Sequence, residues 1–323
     1  MTNSPKVSVL IPTYNYAGFL DETIQSVLNQ TYTDYELIIV DNNSTDNTDE
    51  VVQKYLVEPR IKYHKNPSNL GLVGNWNRCL ELASGEYIKF LCADDKFHPK
   101  ILEKYVTIMD QYSNVSLITC DKQGFGSSTH QTITPLTHMV DGRTANLHML
   151  TGHYCWIGEP SSVMFRRQDL RVGKFISEYK QYVDWEMWVR LLTVGDCYIV
   201  PEILVYVRFH GASISKEQKR KRFVVCFEDY KLCKDVQQHR YNIDLVNSGI
   251  DNAVRESAML CIKLALFRTI PELHKKESRQ AFIKAFKIAN NEKLLSASIF
   301  ELFKGIKRKF IKQTPKIHHE PLT

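Results

Sequence analysis

The chain has 323 residues, of which 43% are apolar and 24% charged, with a formal net charge of +6. That length suits one large domain or a domain with an appendage, and the apolar share is enough for a proper core. The cationic excess is modest and gathers towards the C-terminus, which argues against nucleic acid as a partner.

The eight cysteines, at 79, 92, 120, 155, 197, 226, 233 and 261, include no Cys-x-x-Cys pair. This spacing argues against a zinc cluster or a disulfide scaffold and for buried thiols in a reducing cytoplasm. After Met1 the chain passes through polar residues into a strand, so no signal peptide is expected. No stretch approaches the ~18 uninterrupted apolar residues of a membrane span.

Val7-Ser8-Val9-Leu10-Ile11-Pro12 predicts a buried strand stopped by proline, followed by the polar turn Thr13-Tyr14-Asn15. Leu20, Ile24, Val27 and Leu28 fall at helical spacing, with Asp21 and Glu22 suited to a first turn. Residues 36–40 predict a second buried strand, ending in Asp41 and a turn-rich loop over 42–46. Asp46 or Thr48 is placed to cap a helix carrying Val51, Val52, Tyr55 and Leu56. A short strand over 61–63, a loop over 66–71 and a helix over 75–83 follow. The next strand, 87–91, runs into the adjacent carboxylates Asp94 and Asp95. Strand and helix alternate throughout, which predicts an α/β fold with a doubly wound, mostly parallel sheet.

Ligands of such sheets collect beyond the carboxyl ends of the strands. Two carboxylates placed there can hold a divalent cation, Mn²⁺ or Mg²⁺, against phosphate oxygens; a solvated acidic turn is the plainer alternative. No Gly-x-Gly-x-x-Gly follows the first strand, which argues against a dinucleotide-dependent oxidoreductase.

Further on, 101–109 predicts a helix, 115–120 a strand, and 122–145 a loop or hairpin region. Gly158-Glu159-Pro160 is a turn feeding the β-prone run 161–167, with Ser161 and Ser162 expected to shape an acceptor side. Trp185, Trp188, Leu191 and Leu192 share one side of a helix whose amino end carries Asp184. That aspartate reads either as a cap or as a base, and Glu186 competes for the latter role. Both tryptophans are expected to pack rather than to stack on sugar. Residues 198–207 read as a strand broken by Pro201, running into Arg208-Phe209-His210.

Beyond 216 the pattern becomes helical, over about 217–238, 249–269, 277–290 and 294–312. In the last, Ile299, Phe303, Ile306 and Phe310 form an apolar stripe among Lys304, Lys307, Arg308, Lys309 and Lys312. A helix of this kind either lies on an anionic membrane face or docks on its own domain. The tail 313–323 is expected to be disordered.

Together, Val7-Ser8-Val9-Leu10-Ile11-Pro12-Thr13-Tyr14-Asn15, Val40-Asp41-Asn42-Asn43-Ser44-Thr45-Asp46, Asn69-Leu70-Gly71 and Ala83-Ser84-Gly85-Glu86-Tyr87 through Asp94-Asp95 resemble the family 2 glycosyltransferases. These are inverting enzymes of the GT-A fold that use sugar nucleotides. The resemblance is collinear over about residues 5–215 and does not reach the helical C-terminal part. It implies a nucleotide-sugar-binding catalytic domain over 1–215, in which Pro12, Thr13 and Tyr14 line the base. Asp41 then accepts from the pyrimidine imide N–H, and Asn69 lies close to the nucleotide. Asp94 and Asp95 match the metal and ribose site, Asp184 the catalytic base, and His210 a histidine near metal and diphosphate. Three positions depart from the pattern: Cys92 replaces a first aspartate, Asn42 a second one, and Val183 the glutamate before the base.

The resemblance implies transfer of a sugar from a UDP-sugar, or a dTDP-sugar, to an acceptor hydroxyl. A glycan or lipid-linked acceptor is expected, in surface polysaccharide assembly, by a cytoplasmic protein held on the inner membrane face through 294–312. Two other readings remain at this point. A sugar-1-phosphate nucleotidyltransferase calls for a Gly-rich basic loop after the first strand, and Thr13-Tyr14-Asn15-Tyr16 is not one. A non-catalytic sugar-nucleotide-binding partner of a glycan-assembly complex has no need of Asp94, Asp95 and Asp184 together.

Overall fold

The computed structural model describes residues 4–211, 222–241, 243, 245, 249–269, 273–294 and 296. Its centre is two β-rich runs, Val7–Thr13 (β1) and Tyr35–Asp41 (β2), the second buried at every position. Burial on both faces is what a parallel strand covered by helices requires. β1 pairs in parallel with β2 and with Tyr87–Phe90 (β4), and β2 pairs in parallel with Ile61–Lys65 (β3). The register sets Thr13 opposite Asp41, and Asn66 N extends the same edge by donating to Asp41 O at 2.8 Å.

The remaining strands are Lys96–Phe97 (β5), Val115–Gly126 (β6), Gln131–Thr132 (β7), His138–Val140 (β8), Met164–Arg166 (β9) and Asp196–Phe209 (β10). They give one sheet of order β3-β2-β1-β4-β9-β6-β10-β5, with β7 on β6 and β8 on β10. The long ladders are parallel, β6 with β10 included; the short strands β5, β7, β8 and β9 add antiparallel pairs.

Alternation along the strands feeds two cores. Leu10, Ile38, Val40, Ile88 and Phe90 face one side with Trp76 and Trp188. Val9, Ile11, Leu37, Ile39 and Leu91 face the other with Leu20, Ile24 and Tyr105. The covering helices are Ala17–Leu28 (α1), Thr48–Gln53 (α2), Gly71–Leu82 (α3) and Ile101–Gln111 (α4). α3 starts earlier than the expected 75, because Gly71 takes a φ of +73° that turns the chain into the helix.

The region 122–145 differs from a simple loop or hairpin. β6 runs on to Gly126 and turns into β7, and β8 then leads into a helix, Gly142–Gly152 (α5), capped by Asp141 accepting from Thr144 N at 2.9 Å. Pro201 does not break its strand. β10 continues past it through a register shift between Val200 and Ile203, where a missing N–H is tolerated.

Three further helices, Arg222–Gln237, Ile250–Thr269 and Lys276–Asn291, follow the sheet. Leu232, Cys233, Val236, Ile250, Ala253 and Val254 belong to the same core as Trp188 and Tyr179, so the first two of these helices share the interior of the α/β part, whereas Ala285, Ile288 and Ala289 of the third pack in a separate cluster with Phe227 and Cys261. Glu228 carries that attachment further. Its carboxylate accepts from the backbone N–H of Lys180, Gln181 and Tyr182 at 2.8, 2.8 and 3.0 Å. These amides lead directly into the helix Val183–Leu191 (α6). The expected basic helix 294–312 and the tail 313–323 lie outside the described residues, apart from 294 and 296. No helix among the described residues is long and apolar enough to cross a membrane.

Candidate active site

Parallel strands 1, 2 and 4 end at one edge, and the chemistry-bearing residues lie just beyond them. Thr13 is buried, and its hydroxyl has no hydrogen-bond partner among the described residues; Tyr14 beside it is 41% exposed and Pro12 half-buried. A buried hydroxyl without a partner is costly unless a ligand supplies one. Asp41 is fully buried. One oxygen accepts from Ser44 N and Ser44 Oγ at 3.0 and 2.5 Å; the other accepts from Tyr63 OH at 3.2 Å and lies 3.7 Å from Lys65 Nζ. In this arrangement Asp41 fixes the loop after β2, so contact with a base edge requires one of these partners to yield. Asn69 is exposed, and its Oδ1 accepts from Asn42 Nδ2 at 2.9 Å and Gly71 N at 2.8 Å. The Asn42 side chain thus ties the loop over 66–71 to the end of β2.

Asp94 and Asp95 form the acidic centre. Their carboxylates and the Cys92 thiol lie within 4.8 Å of one another. Asp94 Oδ2 lies 3.0 Å from His210 Nε2, and Asp95 accepts from Ser161 Oγ at 2.6 Å and from Arg208 N at 2.9 Å. Arg208 Nε donates to Asp94 O at 2.9 Å, and its guanidinium also pairs with Glu22. Burial pushes the Asp95 carboxyl well above the usual carboxylate range, and Asp94 adds to that, against the opposing hydrogen bonds from Ser161 and Arg208. Two crowded carboxylates, one of them buried, form a set of hard oxygen ligands short of positive charge, which fits a divalent cation. Burial and Asp95 push the Cys92 thiol up as well, and its soft sulfur suits a hard Mn²⁺ or Mg²⁺ ion less well than the two carboxylates do.

Asp184 is the second residue of α6, and its Oδ1 accepts from Trp185 N at 2.8 Å. Burial, helped by the charge of Glu159, raises its pKa to about 7, against the opposing effect of Lys122. Glu159 raises Asp95 in the same way. Glu159 thus acts electrostatically on both acids, and Lys122 Nζ approaches it to 3.4 Å. Glu186, the competing base, is fully buried and chelates Arg190 at 2.7 and 2.8 Å, which makes it a structural ion-pair partner. Trp185 and Trp188 are buried, and Trp188 Nε1 donates to Gly158 O at 3.0 Å.

Ser161 departs from its expected place on an acceptor side: it is fully buried and bonded to Asp95, because the 3-10 turn Pro160–Ser162 tucks under the acidic centre. Glu159, Lys122 and the backbone of Arg208 were not legible as site residues. The one local signal is Gly158, which holds a φ of +95° and leaves no room for a Cβ beneath Lys122 Nζ. One more group lies below the centre. Lys89, on β4, is fully buried, and burial pulls its pKa down to about 7.

The fold is similar to that of the crystal structure of S. aureus TarS 1–349 in complex with UDP-GlcNAc, with a TM-score of 0.65 over 87% of this chain and 79% of that one, at 19% identity. The fold is thus the GT-A type of the glycosyltransferases. The model for Glycosyl transferase family 2 matches residues 8–171, half of the chain, and the chain belongs to that family. It is 29% identical over 274 residues to an uncharacterized glycosyltransferase of Haemophilus influenzae, covering 80% of each chain. Over 115 residues it is 40% identical to the putative teichuronic acid biosynthesis glycosyltransferase TuaG of Bacillus subtilis, 35% of this chain and 46% of that one.

Proposed function

We propose that this glycosyltransferase is metal-dependent and inverting, and that it moves a sugar from a UDP-sugar, or a dTDP-sugar, to a hydroxyl of a glycan or lipid-linked acceptor in surface polysaccharide assembly. The observation that carries the reading is the pairing of two kinds of acid. Asp94 and Asp95 are crowded together, and Asp184 has its pKa raised to about 7 by burial, to which the charge of Glu159 adds.

Asp94, Asp95 and His210 would hold a Mn²⁺ or Mg²⁺ ion, which offsets the charge that develops on the departing diphosphate. Tyr14 offers its exposed ring to the base, and the Thr13 hydroxyl finds its missing partner there. Asp41 accepts the imide N–H in exchange for the Ser44 hydroxyl, and uracil and thymine present the same edge to it. Asn69 closes the nucleotide side. Asp184 accepts the proton of the incoming hydroxyl as its oxygen bonds to the anomeric carbon and the bond to the diphosphate breaks. A carboxylate poised near neutrality suits that role. One base without a covalent intermediate gives a single displacement and inversion.

TarS was crystallised with UDP-GlcNAc, which supports a uridine donor, and the name of TuaG supports a cell-surface polymer as acceptor. The segment 294–312, with its apolar stripe among Lys304, Lys307, Arg308, Lys309 and Lys312, would bring the domain to an anionic membrane face. A panel of nucleotide sugars with MnCl₂, read by thermal shift and by UDP release, tests the reading. Stabilisation by uridine or thymidine sugars alone supports it; stabilisation by none, with no release, contradicts it.

A further inference from the structure

Lys89 occupies the middle of β4 between Ile88 and Phe90, with no exposed surface. Its amine donates to the Ser161 carbonyl, approaches Phe90 O at 3.4 Å, and lies 4.5 Å from the Phe97 ring centroid and 5.7 Å from that of Tyr105. No carboxylate among the described residues lies within ion-pair distance of it. An amine buried without a counter-ion is costly, and an apolar side chain of the same length would fill the space without that cost. What the amine holds is the turn Pro160–Ser162. The Ser161 hydroxyl above it donates to Asp95 at 2.6 Å and accepts from Cys92 N at 2.9 Å. Tyr105 OH secures the next carbonyl, Ser162 O, at 2.7 Å. Glu159 immediately precedes this turn.

We propose that Lys89 is a positioning residue of the reaction centre: it pins the 160–162 turn from inside the sheet, so that Ser161 stays on Asp95 and Glu159, just before the turn, stays beside Lys122. The assignment rests on the proposed part of Asp95 in holding a cation and diphosphate. A residue kept only for packing would make Lys89→Met neutral for ligand binding, whereas a positioning residue lets the fold stand and loosens the site.

The test compares Lys89→Met, Ser161→Ala and the double variant in the full chain, with UDP and MnCl₂ as probes in calorimetric titration. Lys89→Met should keep or raise Tm while weakening Mn²⁺-dependent UDP binding about tenfold or more, the usual effect of losing a group that orients a metal ligand. Ser161→Ala should weaken it comparably, and the double variant no further than the worse single one, because the two act through one chain of contacts. Wild-type affinity in Lys89→Met, or losses that multiply in the double variant, would overturn the proposal. If Lys89→Met does not fold, Lys89→Gln takes its place in the same cycle. Should wild-type protein bind no UDP with Mn²⁺, the donor reading fails instead. Lys89 is then judged by exchange of the Cys92 amide, which should speed up roughly tenfold in both Lys89→Met and Ser161→Ala. Unchanged exchange in Lys89→Met contradicts the positioning role.

Discussion

Asp94 Oδ2 and His210 Nε2 lie 3.0 Å apart, although 116 residues of chain separate them. The contact exists because the end of β10 pairs antiparallel with β5, Tyr206 opposite Lys96 directly after the two aspartates, and Phe19 and Tyr16 hold the imidazole at ring distances of 4.5 and 5.8 Å. His210→Ala should lower turnover about 10–100-fold and raise the Mn²⁺ concentration needed for half-maximal rate. Initial rates across a Mn²⁺ series check this, and an unchanged Mn²⁺ requirement would remove His210 from the cation site.

Tyr14 is exposed and has little to contribute to folding. Under the proposed function its ring meets the base, and such stacking is worth roughly 1–3 kcal/mol. Tyr14→Ala should weaken UDP binding about tenfold or more and leave Tm unchanged. Equal affinity in calorimetry would move the base elsewhere.

The Asp184 carboxyl is raised from its ordinary 3.8 to about 7. Activity should therefore climb with pH and level off above about 7, because the ionised form is the base. Stability should move the opposite way. Between these two values the folded state keeps a proton that the unfolded chain has released, so stability falls as pH rises through that window. Asp184→Asn removes this group's share of the slope, leaving that of Asp95: its Tm should exceed that of wild type near pH 8 and approach it near pH 4. A Tm difference independent of pH would mean that Asp184 is not raised.

Glu228 gathers the three amides that lead into α6, where Asp184 stands. Glu228→Gln retains the shape but loses the charge and one acceptor oxygen. The expected cost is about 2 kcal/mol in denaturant unfolding, with a fall in kcat larger than any change in donor KM. A variant that loses stability but keeps kcat would show that the helical region supports the fold without reaching the chemistry.

Much of this arrangement was legible in the chain. Strands β1, β2 and β4 are unbroken buried runs whose ends carry Thr13, Asp41, Asp94 and Asp95, so position and residue type pointed the same way. α5 was not legible, because a polar residue, Asn146, occupies its buried face and donates to Val189 O at 3.1 Å, which masks the helical period. Pro201 suggested a break that a bulge absorbs. The contacts that shape the electrostatics, Lys122 with Glu159 and Ser161 with Asp95, join residues 37 and 66 positions apart, and only the folded sheet brings them together. Asp41 was legible as a strand-end carboxylate, but its saturation by Ser44, Tyr63 and Lys65 depends on where β3 comes to lie.

The most direct measurement pairs UDP binding with sugar release in Asp184→Asn, using Mn²⁺ and whichever nucleotide sugar stabilises the wild-type protein. The account predicts wild-type affinity for UDP and Mn²⁺, with turnover reduced by about a thousandfold or more, as expected when a general base is lost. Turnover within a few-fold of wild type would contradict it, since the proton of the acceptor would then have to leave by another route.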